Sequence, residues 1–274
     1  MNMTTSSAAQ SSADKALEVL FAFSISRPRL SAAEVAKLAG MNRSTAHRML
    51  QLLEAKHLVQ RRTGDSSRYE LTARILQLSE VVLHQLDDLR SAALSDLTSL
   101  RDSTGETAAL HVHQNGGRVG ITQVESYHHL RRTYADLGKR VPLYLGAPSL
   151  AMLAFLPQEQ IERILPTSEA VWANVDGLDH ARVLEILAKI RVDGYAVSHA
   201  HRLSGIVSIA APIRSRFGGV IAAINVTGPE ARFDDESVAR MATEVVQAAA
   251  RVSRHLGYEA EEQTSPARST PRKA

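Results

Sequence analysis

The chain has 274 residues, of which 44% are hydrophobic and 22% charged, with a formal net charge of +3 and no cysteine. That is enough chain for one large domain or two ordinary ones, each with a buried core. The lack of cysteine excludes disulfides, thiol nucleophiles, iron–sulfur clusters and cysteine-ligated zinc. No run approaches the ~18–20 apolar residues of a membrane helix, and the start MNMTTSSAAQSSADK has no secretory pattern. A cytoplasmic protein is expected.

Residues 1–12, rich in Ser, Thr and Ala, and residues 259–274, mixing charge, Pro and Ser, read as disordered ends. Ala16, Leu17, Leu20, Phe21 and Phe23 make a helical apolar face over Ala13–Ser24. Arg27-Pro28 breaks it. Ser31 with Glu34 is a capping box that opens a short helix ending near Gly40. Asn42 caps the next helix, which runs to about Lys56. Leu58–Arg61 and Arg68–Leu71 are short strands around a Gly64-Asp65 turn. Helix, helix, turn, helix, hairpin is the order of a winged helix-turn-helix domain, here over residues 13–74.

Residues 75–103 return to a helical period, with Ile75, Leu78, Val82, Leu86, Leu89, Ala93, Leu97 and Leu100 on one side. A helix or helix pair of ~30 residues spans ~45 Å. It reads either as a linker that also packs on a partner chain or as an ordinary helix of its own domain. Over residues 104–258 strands are predicted at Ala108–His113, Val119–Glu125, Tyr195–His201, Ile206–Ile213 and Gly219–Val226. Helices are predicted at Ser149–Phe155, Pro157–Leu165, Asp179–Val192 and Asp234–His255. Strands joined by short turns cannot be parallel, so this is an α+β domain with an antiparallel sheet.

Ala36, Gly40, Ala46 and Met49 carry the strongest signal. A small residue on one helix lets the next cross closely, Gly40 takes the turn, and Ala46 and Met49 face inward. Arg43, Ser44, Thr45, His47 and Arg48 are left near the start of the second helix, where a recognition helix reaches base edges in the major groove. Arg43 or Arg48 bonding a guanine bidentately is worth ~1–3 kcal/mol of discrimination. From Gly40 to Arg74 seven basic residues face three acidic ones, leaving +4, more than the surplus of the whole chain. Arg61, Arg62 and Arg68 sit on the hairpin, where a wing meets phosphate.

The segments LSAAEVAKLAGMNRSTAHRMLQLLEAKHLVQR and RYELTARILQL resemble the DNA-binding domain of the isocitrate lyase regulator (IclR) family of bacterial transcription factors. GRVGITQVES, VPLYLGAPSLAMLAFLP and IRVDGYAVSHAHRLSGIVSIAAPIRSRFGGVIAAINVTGPEARF resemble that family's second domain. The resemblance runs from about Ala13 to Leu256. It implies a winged helix joined by a helix to a GAF-like effector-binding domain, in dimers or dimers of dimers on palindromic operators. It also implies control by a small organic acid or aromatic compound, most often as a repressor of catabolic genes. Carried over residue by residue, the effector pocket is Gly146, Ala147, Ser198, Ser208 and Asn225. Three departures stand out. Ser198 and Ser208 replace the usual acid and cysteine, Ala200 and His201 replace acids, and Ser149-Leu150 replaces a frequent Gly-Lys. The pocket thereby loses negative charge and keeps hydroxyls, an amide and histidines, which suit a ligand with a phenol or carboxylate, such as a hydroxybenzoate. His128, His129, Arg131, Arg132 and Tyr134 stand at its expected rim.

Alternation puts His111 and His113, and likewise His199 and His201, on one strand face each, which leaves a metal-sensing regulator as the alternative. No nucleophile elbow, phosphate loop or zincin motif is present, and Ser204 near His201 is no more than a chance pair. Trp172 reads as packing. No enzyme activity and no cofactor are expected.

Overall fold

The computed structural model describes residues 11–62, 64–114, 116–134, 137–167, 172, 178–199 and 205–259. Of the disordered ends expected at residues 1–12 and 259–274, residues 1–10 and 260–274 lie outside these, as do Ala200, His201 and Ser204. The chain divides into two compact units at Asp87/Asp88.

In the first unit, helix α1 covers Ser12–Phe21. Ser11 caps it: its hydroxyl accepts from the Asp14 N–H, and Asp14 accepts the Ser11 N–H in return. Ser11 and Ser12 therefore belong to the fold and not to the disordered N-terminus expected over residues 1–12. Ala16, Val19 and Phe23 are the buried face, whereas Leu17 and Phe21, expected on it, are exposed. Strand β1 (Arg29–Ser31) leads into α2 (Ala32–Leu38), which opens on the predicted Ser31–Glu34 capping box. Gly40 closes α2 at φ +62, with the Met41 N–H returning to the Ala36 carbonyl. No atom lies near where its Cβ would be, so glycine is required there by the backbone and not by crowding. Helix α3 (Arg43–Ala55) is capped by Asn42 as predicted.

Strands β2 (Val59–Arg62) and β3 (Asp65–Leu71) form the hairpin, and β1 pairs with β3 to make a three-stranded antiparallel sheet in the order β1-β3-β2. Val19, Leu30, Val35, Ala46, Met49, Leu50, Leu53, Val59 and Tyr69 make the core. Helix α4 (Arg74–Gln85) has no buried residue; Leu76, Leu78, Val81 and Val82 are all exposed.

The second unit begins with α5 (Asp87–Thr104), whose Leu89, Ala93, Leu97 and Leu100 are buried. Six antiparallel strands follow: β4 (Thr107–Gln114), β5 (Gly117–Val124), β6 (Arg140–Pro142), β7 (Ala196–His199), β8 (Ile206–Arg214) and β9 (Val220–Pro229). Their order across the sheet is β6-β5-β4-β9-β8-β7. Helices α6 (Ala147–Leu153), α7 (Gln158–Ile164) and α8 (His180–Asp193) build one core, in which Leu150, Leu153, Ile161 and Leu187 meet Ala196, Ala210 and Ala223 of the sheet. Trp172 is buried in this core with its ring against Tyr144. Helix α9 (Asp235–His255), capped by Asp234, packs along β8 and β9 and is tied to α5 by Arg251–Asp96 at 2.7 Å.

Candidate nucleic-acid interface and ligand cavity

Ala46, Met49, Leu50 and Leu53 bury one side of α3, which leaves the other side of its first two turns outside. Arg43, Ser44 and Arg48 are exposed there, and Thr45 and His47 are half-buried. Asn42 holds the turn through the Thr45 N–H at 2.8 Å and accepts the Ser44 hydroxyl at 2.8 Å. Among the described residues neither Arg43 nor Arg48 meets an acid. Arg43, at the start of the helix, and Arg48, about 140° further around it, are two exposed guanidiniums that suit a groove lined by acceptors.

The hairpin arginines differ from one another. Arg62 is exposed at the tip. Arg61 is drawn back, with Nε 3.6 Å from Glu54 and its guanidinium over the Tyr69 ring. Arg68 is turned onto α2, where it meets Glu34 at 3.2 Å and the Arg29 carbonyl at 3.2 Å. The Ser31 N–H and hydroxyl, with Arg68 adding to them, hold the Glu34 carboxyl below its usual range. Arg68 thus fastens the hairpin to the helical part of the unit, and Arg62 makes no ion pair within 4.0 Å among the described residues.

The second unit contains a cavity of about 40 Å³ lined by Arg118, Arg132, Tyr134, Gly146, Ala147, Pro148, Ser198, Ile206, Ser208 and Thr227. Its polar wall follows from strand register. Ser198 stands opposite Ser208, and Ser208 opposite Thr227, so β7, β8 and β9 present one rung of hydroxyls on the same face. Gly146 turns the chain into α6 at φ +83, and the Ala147 N–H donates to Ser198 Oγ at 3.1 Å. Asn225, fully buried beside this rung, donates through Nδ2 to Ser208 Oγ at 2.9 Å and to Tyr134 Oη at 3.1 Å. Four of the five predicted pocket residues line the cavity, and Asn225 braces two of its lining side chains.

Of the lining residues Arg118 is bonded to two residues outside the lining, Ser149 and His111. Arg118 on β5 is 4% exposed; its Nε donates to Ser149 Oγ at 2.8 Å and its Nη1 to His111 Nδ1 at 3.0 Å. His111 Nε2 meets Asn225 Oδ1 at 3.0 Å. Because Asn225 Nδ2 is the donor to Tyr134 and Ser208, Oδ1 is the acceptor, so His111 carries its hydrogen on Nε2 and offers the Nδ1 lone pair to Arg118. A side chain at Gly120 would press on His111 Nδ1 at 3.2 Å, and glycine there leaves the ring its place. Sequence reasoning missed this chain of groups, because an arginine after Gly116-Gly117 reads as a hairpin-tip charge. The signal available was the pairing of β4 with β5, which sets His111 opposite Gly120 and Arg118 opposite His113, on one face.

Of the residues expected at the rim, Tyr134 is buried edge-on to His111, Arg132 lies over the Tyr134 ring, and Arg131 bonds Glu125. His113 is half-buried, with Nε2 lacking a hydrogen-bond partner, and burial lowers its pKa from the ordinary value. His199 is exposed, 4.0 Å from Glu230. Among the described residues no three His, Asp or Glu side chains are grouped to hold a metal ion.

Residues 12–63 match the IclR helix-turn-helix domain, and residues 81–254 match the C-terminal domain of the bacterial transcriptional regulator IclR. The chain belongs to the IclR family. It is 29% identical to the transcriptional regulator KipR of Bacillus subtilis over 233 residues, 85% of this chain and 92% of KipR. The Thermotoga maritima IclR structure superposes with a TM-score of 0.69 at 26% identity, covering 90% of this chain and 98% of that one. An IclR homologue from Microbacterium hydrocarbonoxydans, crystallised with 4-hydroxybenzoate, has the same fold at TM-score 0.70 and 23% identity, covering 90% and 99%. As a family member this protein is a DNA-binding transcriptional regulator with a ligand-binding C-terminal domain. No helix among the described residues is long and apolar enough to cross a membrane.

Proposed function

We propose that this IclR-family regulator represses catabolic genes and alters its hold on their operator when a small organic acid, foremost a hydroxybenzoate-like aromatic acid, occupies the second-unit cavity. Arg43, Ser44, Thr45, His47 and Arg48 read bases and the adjacent backbone, and Arg62 meets phosphate. Arg61 and Arg68, also assigned to phosphate from the sequence, act there only to the extent that they leave Glu54 and Glu34. The protein works as a homodimer or a dimer of dimers, a reading supported by the exposed Leu76, Leu78, Val81 and Val82 of α4.

The observation that carries the effector class is the cavity wall. Its described residues offer two guanidiniums, three hydroxyls from Ser198, Ser208 and Thr227 and a phenol, and no carboxylate. Such a wall favours an anion over a cation or an apolar guest. Its volume holds ~2–3 waters, so a benzoate ring enters only as the wall gives way. The Arg132–Tyr134 stretch of the wall belongs to no helix or strand, and Tyr134 in it is held by Gln123 and Asn225. The hydroxybenzoate complex of the Microbacterium homologue supports the same ligand class.

The test is fluorescence anisotropy of DNA from upstream of the protein's own gene, with and without aromatic and small aliphatic acids. Tight binding that an acid weakens is expected. Tight binding indifferent to every acid refutes the effector reading, and the absence of specific binding at low salt refutes the operator reading.

A further inference from the structure

The second unit also holds a cleft of about 680 Å³, against about 40 Å³ for the candidate effector cavity, and the two linings share no residue. It arises where the sheet narrows. Strand β7 covers β8 only as far as Ala210, which faces Ala196, so Ala211–Arg214 continue with β9 alone. Helix α9 bounds the gap with Val246, Ala249 and Ala250, an apolar stripe at helical spacing. Pro212 has no N–H to offer an incoming strand, and the Arg214 N–H is taken by Ser253 Oγ at 3.0 Å. The gap therefore suits a ligand held by side chains better than an added strand.

Three guanidiniums edge the apolar floor. Arg191, in the last turn of α8, donates through Nε to the Ala154 carbonyl at 2.6 Å. Arg214 donates through Nη1 to the Gly218 carbonyl at 2.9 Å and lies over the Phe155 and Tyr258 rings, 4.6 and 5.8 Å from their centroids. Arg254, in the last turn of α9, is exposed. Carbonyls and rings orient a guanidinium and leave its charge in place. Among the described residues none of the three pairs with an acid; Asp193, two residues from Arg191, is taken by Lys189 at 2.7 Å. Exposed Glu259 is the one carboxylate in the described lining. Two positive charges are left over beside an apolar floor, in a volume within the ~300–1,000 Å³ of small-molecule sites. We propose that this cleft is a second ligand site and that it takes a small organic dianion with an apolar body, foremost the phosphate monoester of an aromatic alcohol. Such a monoester carries about −1.5 to −2 charge at neutral pH, and its oxygens match the guanidinium fork. Its ring lies on the stripe of α9 and on Ala211 and Pro212 of β8.

Calorimetric titration of the full-length protein with phenyl phosphate, inorganic phosphate and benzenesulfonate tests this. Inorganic phosphate keeps the head without the body, and benzenesulfonate keeps the shape with a single charge. Phenyl phosphate should bind about tenfold or more tighter than either. Arg214→Gln should weaken it by about tenfold, and Arg254→Gln, at an exposed position, by about threefold. Ala250→Leu, which fills the floor and keeps all three cations, should remove the advantage of phenyl phosphate over inorganic phosphate. Ser208→Ala, in the other cavity, should leave phenyl phosphate binding unchanged. If Arg214→Gln does not fold, Arg254→Gln and Ala250→Leu carry the test. Phenyl phosphate that does not bind, that binds no tighter than the two controls, or that binds Arg254→Gln and Ala250→Leu as it binds wild type, overturns the proposal. Binding lost in Ser208→Ala but kept in the cleft variants places the dianion in the effector cavity and overturns it equally.

Discussion

Arg48→Ala separates DNA reading from folding. Arg48 is exposed on α3, meets no acid among the described residues, and occupies a helix position where alanine is at least as favourable as arginine. Its removal should change stability by no more than about 0.5 kcal/mol. On DNA the expected loss is that of a bidentate guanine contact, ~1–3 kcal/mol, or about 5- to 150-fold in Kd. The fold-change should shrink on an operator whose contacted base pair has been altered, because a base contact is lost only once. Arg62→Ala, at the hairpin tip, should weaken binding to all sequences alike and lower the salt slope by about one. Anisotropy titrations on the upstream DNA at several salt concentrations, beside thermal melts of each variant, read both effects. An Arg48→Ala protein that melts as wild type and binds the operator within twofold would show that α3 does not read bases through this residue.

Much of the first unit was legible because its helix ends are written in local chemistry. Ser31 with Glu34, Asn42 and Gly40 each act within four residues of themselves, and each does in the structure what its type and position imply. Two failures have a physical cause. Strands β1 and β6 have three residues each, too few to show alternation, and exist because a neighbouring strand pairs with them. In α1 both Leu17 and Phe21 fit a helical period, but the buried face is fixed by Ala16, Val19 and Phe23, and the period cannot choose between overlapping faces. The stretch from Ile75 to Leu100 carries one continuous pattern with two fates: Leu89, Ala93, Leu97 and Leu100 of α5 are buried, while Leu78 and Val82 of α4 are not. In the cavity, Gly146, Ala147, Ser198, Ser208 and Asn225 followed from the resemblance, and the structure brings them together. Arg118 and His111 did not follow, because their meeting depends on the pairing of β4 with β5, which sets His113 opposite Arg118 and His111 opposite Gly120.

His113 gives a pH prediction. Burial lowers its folded pKa below the ordinary 6.5, so the unfolded chain takes the proton first as the pH falls. Stability contributed by His113 is full above about pH 6.5 and declines below it; His113→Gln should reduce the loss of Tm between about pH 7.5 and 5.5, and an undiminished loss would exclude His113 as its source. Gly40→Ala should destabilise the first unit by ~1 kcal/mol, because φ +62 is costly for a residue with a Cβ; an unchanged melt would refute the backbone argument made for the α2–α3 turn. Arg232→Met should cost far more. Glu106 is 1% exposed, and Arg232 binds both of its oxygens, through Nε to Oε1 and through Nη2 to Oε2 at 2.8 Å. Losing the partner strands a buried carboxylate at ~3–5 kcal/mol, or a fall of about 6–20 °C in the Tm of a unit this size. Glu106→Gln combined with Arg232→Met removes the stranded charge along with its partner, so the double variant should be more stable than Arg232→Met alone. If Arg232→Met melts within about 2 °C of wild type, or the double variant melts below it, the charge at Glu106 is not what Arg232 holds in place.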